Sequence, residues 1–209
     1  SLVELPCETD FVARNQGFID LGNKVVEMVV AEGLNEATNE LTSMVDDIKS
    51  KIKENMGLKR IKSLSVGENE LVANYIHGDG KIGVLVKAKV ENSDMLNSDE
   101  VKSFLFDCAL HIAAFNPLYL KRDDVDQDYI KEQEEIFSVQ AAKLGKPDNV
   151  VVGIVKGKLG KHLSEVVMLD QGFVKEEKKK VTEVMKEIGK SAGGSLELVD
   201  FLYYRVGQE

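Results

Sequence analysis

The apolar period changes twice along this chain, and those changes limit what it can fold into. Between Phe18 and Ile52, apolar residues recur every three or four positions, the spacing of one helix face. From Ile61 the period drops to two. "IKSLSV" and "LVANYIHGDGKIGVLVKAKV" alternate apolar and polar residues, with Asp79-Gly80 between the two strands of the second. Asp-Gly between alternating runs marks a tight β-hairpin. From Ser98 the helical period returns. The pattern predicts an α+β fold whose strands need not be parallel.

Local signals place the elements. "LVEL" (2–5) reads as the end of a strand, which Pro6 stops by removing a backbone donor. "CETDF" follows as a loop or first helical turn, with Thr9 as candidate N-cap. A helix carries Phe18, Leu21, Val25, Met28 and Val29 on one face and ends at Gly33. Asn35 is expected to cap the next, with Ala37, Leu41, Met44, Val45, Ile48 and Ile52 on its stripe and Gly57 closing it. The short link predicts an antiparallel pair. Val101, Leu105, Cys108, Ile112 and Phe115 share a face of the helix from Ser98, which Pro117 ends at Asn116.

Residues 125–165 read as two helical stretches broken at Gly145-Lys146-Pro147. Tyr129, Ile130, Ile136, Val139 and Ala142 are expected to face Val151, Ile154, Val155 and Leu159, making a helical hairpin of coiled-coil type. "SEVVMLDQGF" and "SLELVDFLYYRV" read as strands, with a helix through Val181, Val184, Met185 and Ile188 between them. The charge runs "KEQEE" and "KEEKKK" read as solvated helix faces. The expected division is a first subdomain over 1–92 and a second over 93–209, the latter interrupted by the hairpin 125–165.

Composition narrows function. Hydrophobic residues make up 43% of the 209, enough for a packed core. The net charge of -9 argues against a protein that tracks nucleic-acid phosphates, since such affinity comes from Lys and Arg. Two cysteines, Cys7 and Cys108, suit a reducing compartment such as the cytoplasm. No apolar run reaches the 18 or so residues that a membrane span needs. The opening Ser1-Leu2-Val3-Glu4, without Met, reads as part of a longer product.

Few residues suggest chemistry. Cys7 with His77, His111 or His162 as base would make a nucleophilic enzyme, yet no cysteine-enzyme signature surrounds it, and Cys7 reads more simply as a small apolar residue at a strand end. No His pair has the i, i+4 spacing of a helical metal site. The glycines of "HGDGKIG" lack phosphate-cradling spacing, and a hairpin turn accounts for them. His111 flanks the apolar stripe of its helix, where a boundary histidine would bond a nearby carbonyl. Phe11 is ambiguous. A loop Phe usually covers its own core, but an apolar anchor among Glu8, Thr9, Asp10, Arg14 and Asn15 also has the composition of an interface hot spot.

"CETDFVARNQGF" closely resembles the signature of elongation factor Ts, the guanine-nucleotide exchange factor for elongation factor Tu. "HGDGKIGVLV", "ALHIAAFNPLYL", "KEQEE", "GKP", "IVKGKLGKHLSEVVMLDQGFVK" and "FLYYRVG" resemble further family segments in family order, over residues 2–207. The resemblance implies two related α+β subdomains, each with an antiparallel sheet, and a coiled-coil excursion from the second. It implies a cytoplasmic protein with no catalytic chemistry, cofactor or metal of its own, and elongation factor Tu, GDP-bound or nucleotide-free, as partner. Asp10 and Phe11 would wedge near the partner's magnesium site, with Thr9, Arg14 and Asn15 supporting the motif. Further partner contacts map onto Ile82, Gly83, His111 and Val174. The chain departs from the family pattern where Lys175 follows Val174 and where the usual N-terminal helical module would precede the first strand.

Overall fold

The computed structural model describes residues 1–208. The first strand, β1 (Leu2–Glu4), pairs antiparallel with β2 (Arg60–Lys62). Between them run a four-residue helix, α1 (Asp10–Ala13), and two long helices, α2 (Gln16–Glu32) and α3 (Asn39–Ile52). Val12, Phe18, Leu21, Val25 and Val29 pack against Leu41, Val45, Met56 and Ile61 in one small core.

A second, larger core lies on a three-stranded antiparallel sheet. Strands β3 (Glu70–His77) and β4 (Ile82–Val90) form the expected hairpin. Its turn needs left-handed backbone at Gly78, Asp79 and Gly80 in succession, which glycine and aspartate tolerate best. β4 is the central strand and is buried on both faces, so its sequence is almost continuously apolar. Val84, Val86 and Val90 meet α4 (Asp99–Phe115), whose buried face includes Val101, Phe104, Leu105, Cys108 and Ile112. On the other face, Gly83 lies so close to β1 that an added Cβ would sit 2.7 Å from Leu2 Cδ1.

After α4 come α5 (Gln127–Ala142) and α6 (Asp148–Val166), then the short ribbon β5 (Gly172–Phe173) and β6 (Glu176–Lys180), α7 (Val181–Ser191) and β7 (Leu196–Arg205). β7 pairs with β4, matching Val84 to Tyr203 and Val90 to Leu196. The sheet order is therefore β3–β4–β7, and it draws strands from both sides of residue 92. The fold is α+β with antiparallel sheets.

Several local expectations are corrected. Thr38, not Asn35, caps α3, its hydroxyl accepting from Leu41 N–H. α3 ends at Lys53 in the left-handed region (φ 61°), four residues before Gly57. "IKSLSV" is strand only through Lys62. "SEVVMLDQGF" divides between the end of α6, a 3₁₀ turn over Met168–Asp170 and β5. "KEEKKK" is not a helix face but mostly the exposed strand β6. A run without apolar residues carries no period, and a strand exposed along nearly its whole length accepts charge at every position. Phe115 stands out from its helix, half-exposed.

The helical hairpin forms as two antiparallel helices. Tyr129 and His162 share a 2.7 Å hydrogen bond near its base, and Lys158 donates to Gln140 farther out. Its seam differs from the expected one. Ile136, Val139 and Ala142 are exposed, whereas Ile130, Gln133, Phe137 and Ala141 form the covered strip of α5. A lone pair of helices hides only one narrow stripe of each.

Candidate functional site

The backbone ladder that begins at β1–β2 continues beyond both strands. Lys59 N–H donates to Glu4 C=O at 3.0 Å, Gly57 N–H to Pro6 C=O at 3.1 Å, and Glu8 N–H to Asn55 C=O at 3.2 Å, with an isolated bridge between Cys7 and Met56. Pro6, lacking an N–H, takes part only as an acceptor. At Thr9 the chain leaves the ladder and turns into α1. The Thr9 hydroxyl accepts from Val12 N–H at 3.3 Å, the N-cap bond expected of a threonine there. Asn15 likewise caps α2, accepting from Gly17 N–H at 2.9 Å.

This local chemistry answers the ambiguity at Phe11. Val12 turns inward and is 2% exposed, while Phe11 points outward at 83%. Asp10 stands exposed beside it. Arg14 closes the short helix and forms an exposed ion pair of 3.3 Å with Asp79 in the β3–β4 turn. Between these parts lies a cleft of about 440 Å³, bordered by Cys7, Asp10, Arg14, Ile19, Asp79 and Lys81. Ile82 and Gly83, just beyond the turn, are buried.

His111 and Val174 belong to a separate place. His111 is wholly buried, not at a boundary. Gln171 donates its amide to Glu165 C=O at 2.6 Å, so its oxygen faces His111 and accepts from Nε2–H at 2.8 Å. Nδ1 has no partner. The ring lies 4.7 Å from that of Phe115 and 6.3 Å from that of Phe173, whose neighbour in the chain is half-buried Val174. Among the described residues, no hydrogen bond or ion pair joins this group to the one around Phe11.

Burial lowers the pKa of His111, and the Gln171 hydrogen bond offsets part of that effect. The folded chain then binds this proton less well than the unfolded chain. Stability is complete above the ordinary imidazole value near 6.5 and declines as the pH falls below it. Thermal melts from about pH 7 to about pH 5.5 should show a falling midpoint, and His111→Gln should remove that part of the slope. An equal slope in both proteins would assign it to other groups.

Among the described residues, no histidine hydrogen-bonds the Cys7 thiol as a base would. Burial and the neighbouring Glu54 carboxylate raise the thiol pKa, and the thiol donates weakly to Thr9 C=O at 3.4 Å. The three histidines bond Tyr75, Gln171 and Tyr129 instead. Among the described residues, no cluster of three or more His, Cys, Asp or Glu could hold a metal ion, and no helix is long and apolar enough to cross a membrane.

Sequence reasoning missed Glu54 and Gln171, which hold Thr9 and His111. Both partners are distant in sequence, and neither residue sits in a pattern of its own.

The family described as Elongation factor TS matches residues 8–208. Elongation factor Ts of Treponema denticola is 46% identical over 206 residues, covering 99% of this chain and 74% of that protein. Elongation factor Ts of Borreliella burgdorferi strain B31 is 44% identical over 207 residues, and that of Borrelia recurrentis 43%, with the same two coverages. Identity of this order, sustained along nearly all of its length, means that the chain belongs to the elongation factor Ts family.

Proposed function

We propose that this translation factor binds elongation factor Tu carrying GDP and speeds release of the nucleotide, inserting Phe11 with Asp10 beside the partner's magnesium and phosphate site. The observation that carries the reading is a large aromatic side chain held out in solvent, 83% exposed, on a helix whose next residue is anchored in the core. An apolar residue so displayed on a fixed backbone suits insertion into another protein. Asp10 brings negative charge, which disfavours phosphate nearby. Ile82 and Gly83, buried at the base of the β3–β4 turn, serve the same contact from beneath. His111 serves a second contact near Val174 from beneath, backing the exposed Phe115 ring.

Such exchange requires no acid, base, cofactor or metal from this chain. It requires tighter binding to the nucleotide-free partner than to the loaded one. Each tenfold loss of nucleotide affinity corresponds to about 1.4 kcal/mol of that difference. The coupling is reciprocal, so GDP must weaken the complex by the same factor. The setting is the cytoplasm, with no direct contact to nucleic acid.

The test is release of fluorescent GDP from elongation factor Tu, followed by stopped flow with and without this protein. Release should accelerate with rising concentration and then saturate. An unchanged rate at saturating protein would overturn the proposal.

A further inference from the structure

We propose that Glu54 is a positioning residue for Phe11: it holds the Thr9 hydroxyl in the orientation that caps α1, and so fixes the helix that displays the aromatic ring. This inference rests on the reading of Phe11 as the inserted group.

The geometry is a ladder whose last rung changes hands. Backbone pairing runs from β1–β2 out to Glu8 and Asn55, where Asn55 N–H also donates to the Glu8 carboxylate at 3.3 Å. One step farther the backbone curls into α1 and can no longer pair. The side chains take over: the Thr9 hydroxyl donates to Glu54 Oε2 at 2.8 Å. A hydroxyl has one hydrogen and two lone pairs. Committing the hydrogen to Glu54 leaves a lone pair for Val12 N–H, the capping bond itself.

The helix needs this support. Four residues are too few to be stable alone, because the first turn fixes several dihedrals for one hydrogen bond. Its other supports are Val12 in the core and the Arg14–Asp79 pair. That pair is exposed at both ends and holds weakly. Glu54 is itself well placed. Lys53, in the left-handed conformation, ends α3 one residue earlier, so the end of a packed helix fixes where the brace starts. Glu54 is half-buried and lies outside the apolar cluster.

Glu54→Ala should slow stimulated GDP release about fivefold, the scale of a lost helix cap, with a melting midpoint within about 2 °C of the native protein. Glu54→Gln, which keeps an acceptor oxygen, should recover most of the rate. In a Phe11→Ala background, Glu54→Ala should add no further loss, since the brace acts only through the ring. The Val12 amide should exchange its hydrogen faster in Glu54→Ala than in the native protein. The proposal is overturned if Glu54→Ala slows release equally with and without Phe11, if Val12 exchange is unchanged, or if Glu54→Ala fails to fold. A native protein that does not accelerate release at all would overturn the exchange reading, and Val12 exchange would still decide the brace.

Discussion

Replacing Phe11 by Ala should slow stimulated GDP release about 30-fold and leave the melting transition where it was. Buried aromatic anchors at interfaces commonly cost about 2 kcal/mol or more when truncated, and each 1.4 kcal/mol is roughly tenfold. The second half of the expectation comes from the free protein. A side chain 83% exposed has almost no apolar area hidden in the fold, so removing it costs the folded state little. Val12, one position on, is the residue whose truncation would harm stability. Asp10→Ala should act more mildly, because a carboxylate at the rim of a contact is partly screened by solvent. Stopped-flow GDP release and thermal melts of both variants make the measurement. If Phe11→Ala melted well below the native protein yet, where folded, stimulated release normally, the insertion model would be wrong.

Arg60→Leu is expected to produce the largest loss of stability, about 3 kcal/mol, or a fall of roughly 6–12 °C in melting midpoint. The reason is Glu4. Its side chain is buried, yet it sits on the first strand with an Arg60 ion pair on one oxygen and the Gly207 N–H, at 3.0 Å, on the other. Arg60 also donates to Arg205 C=O at 3.0 Å and lies 4.3 Å over the Tyr204 ring. Removing the guanidinium strands a buried carboxylate. That costs more than the pair contributes in net terms, because the desolvation of Glu4 is no longer offset. The double variant Glu4→Gln with Arg60→Leu should therefore be less destabilised than Arg60→Leu alone. Denaturant titration decides it: a loss below about 1 kcal/mol in Arg60→Leu would mean that solvent reaches Glu4 and replaces its partner.

How much of this was legible in the letters varied with the physics behind each element. The face of α2, the Asp79-Gly80 hairpin and the span of α4 could be read directly, since each rests on local periodicity or turn chemistry. His111 could not. A single stripe through Val101, Leu105, Cys108 and Ile112 puts it at the edge, but α4 is covered over a wider arc that also takes in Phe104 and Ala109. The histidine falls inside that arc, and its partner lies sixty positions away at Gln171. α3 shows a subtler limit. Asn35 and Thr38 are both good caps, and choosing between them depends on Asn35 bonding Ser63 N–H across the fold. The motif around Phe11 was legible as an unsettled choice between core and partner. The resemblance points it outward, and the inward turn of Val12 with the cap at Thr9 gives that direction a physical basis.

The place of β7 has a consequence for synthesis. A ribosome delivers the chain from its N-terminus, so the α2–α3 pair, and later the α5–α6 hairpin, can collapse as soon as they emerge, each joining neighbouring elements. The central strand β4 cannot. It emerges, apolar on both faces, and waits unpaired along one edge until Leu196–Arg205 arrives, after the whole stretch from α4 to α7 has been made. Pairing so distant in sequence is slow, and an open apolar edge invites pairing with other chains. The nascent protein is thus most exposed to aggregation in the interval between the synthesis of β4 and that of β7. Gly207 follows β7 and brings its N–H to Glu4, so β1 gains that bond only after the three-stranded sheet can close.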